Sequence, residues 1–212
     1  MKLQSIMELK TKIIADGARD VFMKYGIRSI SMDDICRELG MSKKTLYQYF
    51  NNKSDLVNRM LEQCFEEFET HINAVLQQEH NAIDDLLEMS RVIDEHMKDV
   101  SLSVSFDLQK YYPEIHREYL GKKREFASRY LRENIEKGIK EGFYRTELNV
   151  DLIAKLYIQK IEDLHDPSFH ENDKISFMEA FHVMFENHIR GIANEIGTRY
   201  YEERKKTLKL DW

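Results

Sequence analysis

Between Ile30 and Phe50 the apolar residues fall into two short clusters of helical spacing, each opened by a serine, with a glycine between them. Ile35 and Leu39 stand four residues apart, as do Leu46 and Phe50, the interval that puts two side chains on one helix face. Ser31 has the side chain of an N-cap, Asp34 follows three residues on, and Ile30 and Ile35 occupy the positions of a hydrophobic staple. Gly40 comes where a helix end wants a residue tolerant of positive φ. Ser42 repeats the cap, with Met41 and Leu46 as a second staple. The pattern predicts two short helices joined by a sharp turn, a helix-turn-helix, whose usual task is to set its second helix in the major groove of DNA.

The same periodicity predicts a first helix over about Ile6 to Tyr25, with Leu9, Ile13, Gly17, Val21 and Phe22 near one side and Gly26 ending it. A long helix begins near Lys53 and carries Leu56, Met60, Cys64, Phe68, Ile72 and Val75 at intervals of three or four. Helices then follow over Asn81 to Val100, Leu102 to Tyr112, and Pro113 to Glu141 with a stop at Gly142. Asn149 and Asp151 compete to cap the next helix, which ends before Asp166-Pro167, and a last long helix is expected from Asp173 to Lys206. Strands are essentially absent. The fold class is all-α, about nine helices in total, with a three-helix helix-turn-helix domain in residues 1–52 and a larger helical domain in 53–212.

On the second helix of the motif, Leu46 and Phe50 point one way, Lys44 and Gln48 nearly the opposite way, and Thr45, Tyr47 and Tyr49 flank them. Lys43 and Lys44 occupy the first two helical positions, where the macrodipole disfavours cations by roughly 0.3 to 1 kcal/mol each. A polyanion offsets that repulsion, and the helix terminus offers backbone N–H groups to phosphate.

Residues 14 to 56 resemble the N-terminal DNA-binding domain of the TetR family of transcriptional regulators. The matching features are Ala18 and Phe22, Gly26, the Asp34-Ile35 pair, the Gly-Met-Ser turn, the Thr-Leu-Tyr-x-Tyr-Phe run from Thr45 to Phe50, and Lys53. Cys36 replaces the usual small Ala, and Lys44 sits where Gly, Ala or Pro is more frequent. The resemblance implies that Lys43, Lys44, Thr45 and Gln48 approach base edges, while Tyr47, Tyr49, Lys53 and the Ser31–Met32 end of the preceding helix hold phosphates. The phosphate role also suits Tyr47 and Tyr49 by their place on the flanks of the exposed face.

Composition agrees. A chain of 212 residues, 42% apolar with two prolines and eight glycines, reads as a compact, largely helical protein. The formal net charge of −6 is unevenly spread: residues 1 to 53 hold ten Lys/Arg against six Asp/Glu, and the remainder carries −10. The basic surface is local, and the acidic body restricts DNA contact to the N-terminal end. Cys36 and Cys64 are too few for a disulfide framework and are read as reduced thiols. The N-terminus lacks a signal-peptide core and no run approaches the roughly 18 apolar residues of a membrane span, so a cytoplasmic protein with no membrane partner is expected.

Two late helices carry more apolar residues than a solvated helix needs. Leu152, Ile153, Leu156, Tyr157, Ile158 and Ile161 lie on one, and Phe177, Phe181, Met184, Phe185, His188 and Ile189 on the other. A recognition helix reads only a few base pairs, and two-fold pairing supplies the second half-site. The resemblance implies a four-helix dimer interface, here Ile153, Tyr157, Ile161, Phe177, Phe181, Met184, Phe185 and His188. In the middle of the chain, Met89, His96, Met97, Phe106, Tyr111, Tyr112, Phe126, Tyr130 and Tyr157 have the composition of a small-molecule pocket, although such a stripe is also what a plain core contains.

The competing class is a metal enzyme. Glu162-x-x-His165 and Glu179-x-x-His182 are ExxH pairs on expected helices, but they lie on consecutive helices, not on the alternating ones of a di-metal bundle. Asp163, His165, Asp166 and His170 read as a polar loop. No phosphate-cradling glycine loop, serine elbow or nucleophilic cysteine motif is present. The expected function is therefore a homodimeric transcriptional regulator, a repressor. It binds double-stranded, pseudo-palindromic operator DNA without a cofactor and is released when a small-molecule effector of unknown identity moves the helix beginning at Lys53.

Overall fold

The computed structural model describes residues 2–76, 78–98, 101–165 and 175–208. Among them lie α1 (Lys2–Tyr25), α2 (Met32–Glu38), α3 (Lys43–Leu46), α4 (Lys53–Leu76), α5 (Ala82–Lys98), α6 (Leu102–Tyr111), α7 (Pro113–Lys140), α8 (Val150–His165), α9 (Phe177–Ile192) and α10 (Glu195–Leu208). No strand occurs among the described residues, where the sheet-like pairing is one isolated bridge between Tyr144 and Ala193. The all-α class stands. The chain forms two compact units, residues 1–71 with 96–123, and residues 72–95 with 124–212. These units do not follow a division after residue 52, because α6 and the start of α7 belong with the N-terminal helices.

The first unit is built around one apolar cluster. α1 contributes Ile14, Ala15, Ala18, Val21 and Phe22, α2 contributes Ile35 and Cys36, and Leu46 and Phe50 come from α3 and the turn after it. α4 adds Leu56, Val57, Met60 and Leu61, and α6 adds Val104 and Leu108. The expected face of α1 needs correction: Leu9 and Ile13 are each 60% exposed. At 100° per residue they fall roughly opposite Phe22, and the stripe through Ile14, Ala18 and Val21 is the one that packs. Gly17 lets Leu39 close in on α1, since a Cβ there would overlap Leu39 Cδ2 and push that side chain aside.

The second unit is held by polar groups at the start of α5. Asn81 Oδ1 accepts from the N–H groups of Ile83 and Asp84, both at 3.0 Å, capping that helix. Asn134 of α7 donates to the Ala82 carbonyl at 2.7 Å and accepts from the Tyr144 hydroxyl at 3.2 Å. Lys137 binds Asp85 at 2.6 Å, and burial nonetheless pushes the Asp85 carboxyl above its ordinary range. Asp84 receives Tyr200 and Arg204 of α10, each at 2.6 Å.

One expected helix is two. In place of a single span from Asp173 to Lys206, the chain turns at Ala193-Asn194 between α9 and α10. There Arg145 N donates to Ile192 O and Asn194 N to Phe143 O, both at 3.0 Å, so the turn pairs with the segment after α7. Asn194 also caps α10 through Ile196 N at 2.9 Å and Gly197 N at 3.0 Å, and its amide reaches Gly142 O at 2.8 Å. Asn194→Ala is expected to cost about 1 to 2 kcal/mol, lowering the midpoint of thermal unfolding by roughly 2 to 8 °C, as read by circular dichroism.

Candidate nucleic-acid interface

α2 and α3 are too short to satisfy many of their own backbone groups, so their ends carry the structure. Ser31 and Asp34 form a full capping box: Asp34 N donates to Ser31 Oγ at 3.2 Å and Ser31 N donates to Asp34 Oδ2 at 2.8 Å. Those bonds hold the Asp34 carboxyl below its usual range. At the other end Gly40, with φ of 63°, closes a Schellman turn. Its N–H reaches Arg37 O at 3.3 Å and Met41 N reaches Cys36 O at 2.9 Å. Ser42 then caps α3, accepting from Thr45 N at 3.1 Å.

α3 is shorter than the sequence pattern suggests. Helical geometry ends at Leu46, and Gln48 N→Thr45 O at 3.1 Å and Tyr49 N→Leu46 O at 3.0 Å carry the chain on in tighter turns. The two faces are still separated. Leu46 is fully buried and Phe50 nearly so, while Lys43, Lys44, Tyr47 and Gln48 are exposed. Thr45 and Tyr49 are half-buried between the two faces, and Tyr49 packs against the cluster.

Three side chains differ from their sequence assignment. Met32 sits in the apolar cluster, so at that end of α2 the exposed side chain is Ser31. Lys43 Nζ is paired with Asp33 at 2.6 Å, which leaves Lys44 as the unpaired cation at the start of α3 among the described residues. Lys53 points back into its own unit: its Nζ donates to the Ile27 carbonyl at 2.5 Å and lies 5.9 Å from the Phe22 ring, and burial lowers its pKa. Asn52 caps α4 by accepting from Asp55 N at 2.9 Å.

Residues 14–60 match the sequence model of the family described as bacterial regulatory proteins, tetR family. Over those residues the chain carries a TetR-type DNA-binding domain. An HTH-type transcriptional regulator of Staphylococcus aureus (strain USA300) is 34% identical over 68 residues, 32% of this chain and 37% of that protein. The match thus spans a little over a third of the curated relative. The fold extends further. A transcriptional regulator from Cytophaga hutchinsonii superposes with a TM-score of 0.71 at 18% identity, covering 87% of this chain and 99% of its own. A TetR-family regulator from Agrobacterium tumefaciens gives 0.66 at 19% identity, over 89% of this chain and 100% of its own.

Outside the TetR-type domain the expected site residues divide. Met89, Phe126, Tyr130 and Tyr157 are buried in the second unit, and the Tyr130 hydroxyl has no hydrogen-bond partner among the described residues. His96, whose ring lies tilted 5.3 Å from that of Phe68, and half-buried Tyr112 belong to the first unit. Phe106 and Tyr111 stand at the surface, because α6 turns Val104, Asp107 and Leu108 inward. The Met97 side chain lies outside the described residues, as do Asp166 and His170.

On α8 and α9 the wide apolar stripe conceals which residues face outward. Tyr157, Phe181 and Phe185 are buried within the unit, and Ile153, Ile161, Phe177, Met184 and His188 are half-buried. The exposed apolar residues are Leu152, Leu156 and Val183, at 50%, 55% and 64% exposure. Sequence reasoning did not separate them from the rest. His188 lies against Tyr157, ring centroids 4.2 Å apart, beside a cavity of about 220 Å³, and burial with Lys160 nearby pushes its pKa down to about 4.

The ExxH glutamates have other partners: Glu162 pairs with Arg124, and Glu179 closes the capping box of α9 with Ser176. His182 Nε2 lies 2.9 Å from Asp94. No three His, Cys, Asp or Glu converge as metal ligands among the described residues, and no described helix is long and apolar enough to cross a membrane.

Lys53→Met removes a charged hydrogen bond of the kind worth about 1.5 to 3 kcal/mol. It is expected to lower the stability of the N-terminal unit measurably in urea unfolding before any effect on DNA is considered.

Proposed function

We propose that this protein is a ligand-responsive transcriptional regulator, a repressor, that binds a pseudo-palindromic operator as a homodimer. The observation that carries the reading is the division of α3. Leu46 and Phe50 lock it into the cluster, while Lys44, Tyr47 and Gln48 stand clear on the other side. In this reading Lys44, Thr45 and Gln48 meet base edges, with Lys43 at the rim once it exchanges Asp33 for phosphate. Ser31, Tyr47 and Tyr49 position the backbone, and Lys53 braces the turn that presents Ser31. Functionally, residues 1–52 bind DNA and 53–212 bind effector and partner. The family is one of regulators, and no catalytic residue is assigned.

The second copy docks on α8 and α9. Leu152, Leu156 and Val183 present apolar surface, and a groove of about 620 Å³ beside Val183 and Met184 offers room for the other copy's side chains. The effector is expected near Tyr130, whose buried hydroxyl lacks a partner among the described residues. α4 contributes residues to both units, Lys53 to His71 in one and Ile72 onward in the other, and is the element that would carry a change to the operator by population shift.

Duplexes selected by the protein from a random pool supply the test. Lys44→Ala and Gln48→Ala are expected to relax preference at one or two positions, each worth about 1 to 3 kcal/mol of discrimination. Tyr47→Phe is expected to weaken every selected duplex alike. An unchanged consensus with both base-facing variants would overturn the assignment.

Leu156→Asp with Val183→Asp is expected to give monomers in analytical ultracentrifugation and operator affinity that falls with the loss of the second half-site. A dimer that survives both changes places the interface elsewhere.

A further inference from the structure

Four exposed aromatics stand out among the described residues: Tyr47 on α3, and Tyr25, Phe106 and Tyr111 at 46%, 55% and 36% exposure. The last three come from the end of α1 and the outer side of α6, and each carries a cation. Lys24 Nζ lies 4.8 Å from the Tyr25 ring. Lys110 Nζ lies 5.1 Å from Phe106 and 5.6 Å from Tyr111, and the Arg28 guanidinium sits 4.9 Å from the same Tyr111 ring. No carboxylate comes within ion-pair distance of Lys24, Arg28 or Lys110 among the described residues. Lys12, Arg19, Arg37, Lys43, Arg59 and Lys122 of the same unit are, by contrast, paired with carboxylates.

The place of this patch gives it meaning. Asp107 of α6 is buried, its Oδ2 accepting from Arg28 N at 2.7 Å. Lys53 donates to Ile27 O one residue earlier. The turn from Gly26 to Ser31 is therefore clasped between α4 and α6, and Arg28 precedes Ser31, the α2 cap, by three residues. Three residues span at most about 10 Å. Phosphates rise 3.4 Å of helix axis per nucleotide while winding around it, so a separation of at most about 10 Å reaches only about one or two nucleotides along a strand.

We propose that Arg28 and Lys110, set on the Tyr111 ring, form a second DNA-backbone contact that engages phosphates adjacent along the strand to those met at Ser31. This rests on the reading of the N-terminal unit as a DNA-binding domain. The aromatic rings hold the two cations in place without neutralising them, so their charge remains available to phosphate, and little side-chain freedom is lost on binding. The contact carries no base information. It adds affinity and fixes how the protein lies along the duplex.

Duplexes taken from the random-pool selection are the probe. Arg28→Ala and Lys110→Met are each expected to reduce the slope of log K against log salt by about 0.9, equivalent to roughly eightfold weaker binding at 0.1 M salt than the slope of the parent protein gives. Both variants should keep the selected consensus and the thermal midpoint, and Lys110→Arg should retain the parent slope. Ethylation interference should show phosphates that matter to the parent protein and not to Lys110→Met. An unchanged slope and interference pattern for both Arg28→Ala and Lys110→Met, with Lys44→Ala still altering binding, overturns the second contact and leaves the recognition helix standing. Failure of the parent protein to retain any duplex overturns both.

Discussion

A helix of seven residues followed by one of four leaves most backbone N–H and C=O groups outside any intrahelical ladder, and in the N-terminal unit nearly everything depends on how those groups are met. Ser31 with Asp34, Gly40 with Met41, and Ser42 with Thr45 meet them in sequence order, over a dozen residues or so. The caps fix where α2 ends and α3 starts, and hence the angle between them. Only with that angle set do Ile35, Leu46 and Phe50 reach the cluster under α1 together, and only then is the opposite side of α3 left to solvent.

The same unit shows how a turn becomes rigid without being part of a helix. Gly26 takes φ of 79°, which closes α1 and redirects the chain. The next two residues are held from opposite sides in sequence, Ile27 O by Lys53 of α4 and Arg28 N by Asp107 of α6. A lysine that family resemblance would send to phosphate is thus spent internally, and the turn it steadies is the one that presents the α2 cap. A displacement of α6 or of the start of α4 has to be felt at Ser31, since both grip backbone atoms within four residues of it.

The second unit uses a different device. Asn134 and Lys137 of α7 and Tyr200 and Arg204 of α10, segments far apart in the chain, converge on the first turn of α5 beside its own cap, Asn81. Asn194 joins the end of the unit to the loop after α7 in the same manner. Asp84, Asp85 and Asn134 are buried there, and the partners they find on distant segments make the arrangement specific.

What could be read from the residues alone was local. Caps, staples, helix-ending glycines and four-residue spacings act within one or two turns, so the two short helices, the ends of α1 and α7, and the outward side of α3 were all legible. Pairings between distant segments were not. The apolar period marks a stripe but not its phase against a neighbour, which is why Leu9 and Ile13 were assigned inward and why Phe181 could not be told from Val183 as an interface residue. Lys53 finding Ile27, Asp107 finding Arg28, and Asn194 breaking a helix to pair beside Phe143 involve partners 26 to 79 residues apart. Such contacts are chosen by which elements lie side by side, and only the folded chain decides that.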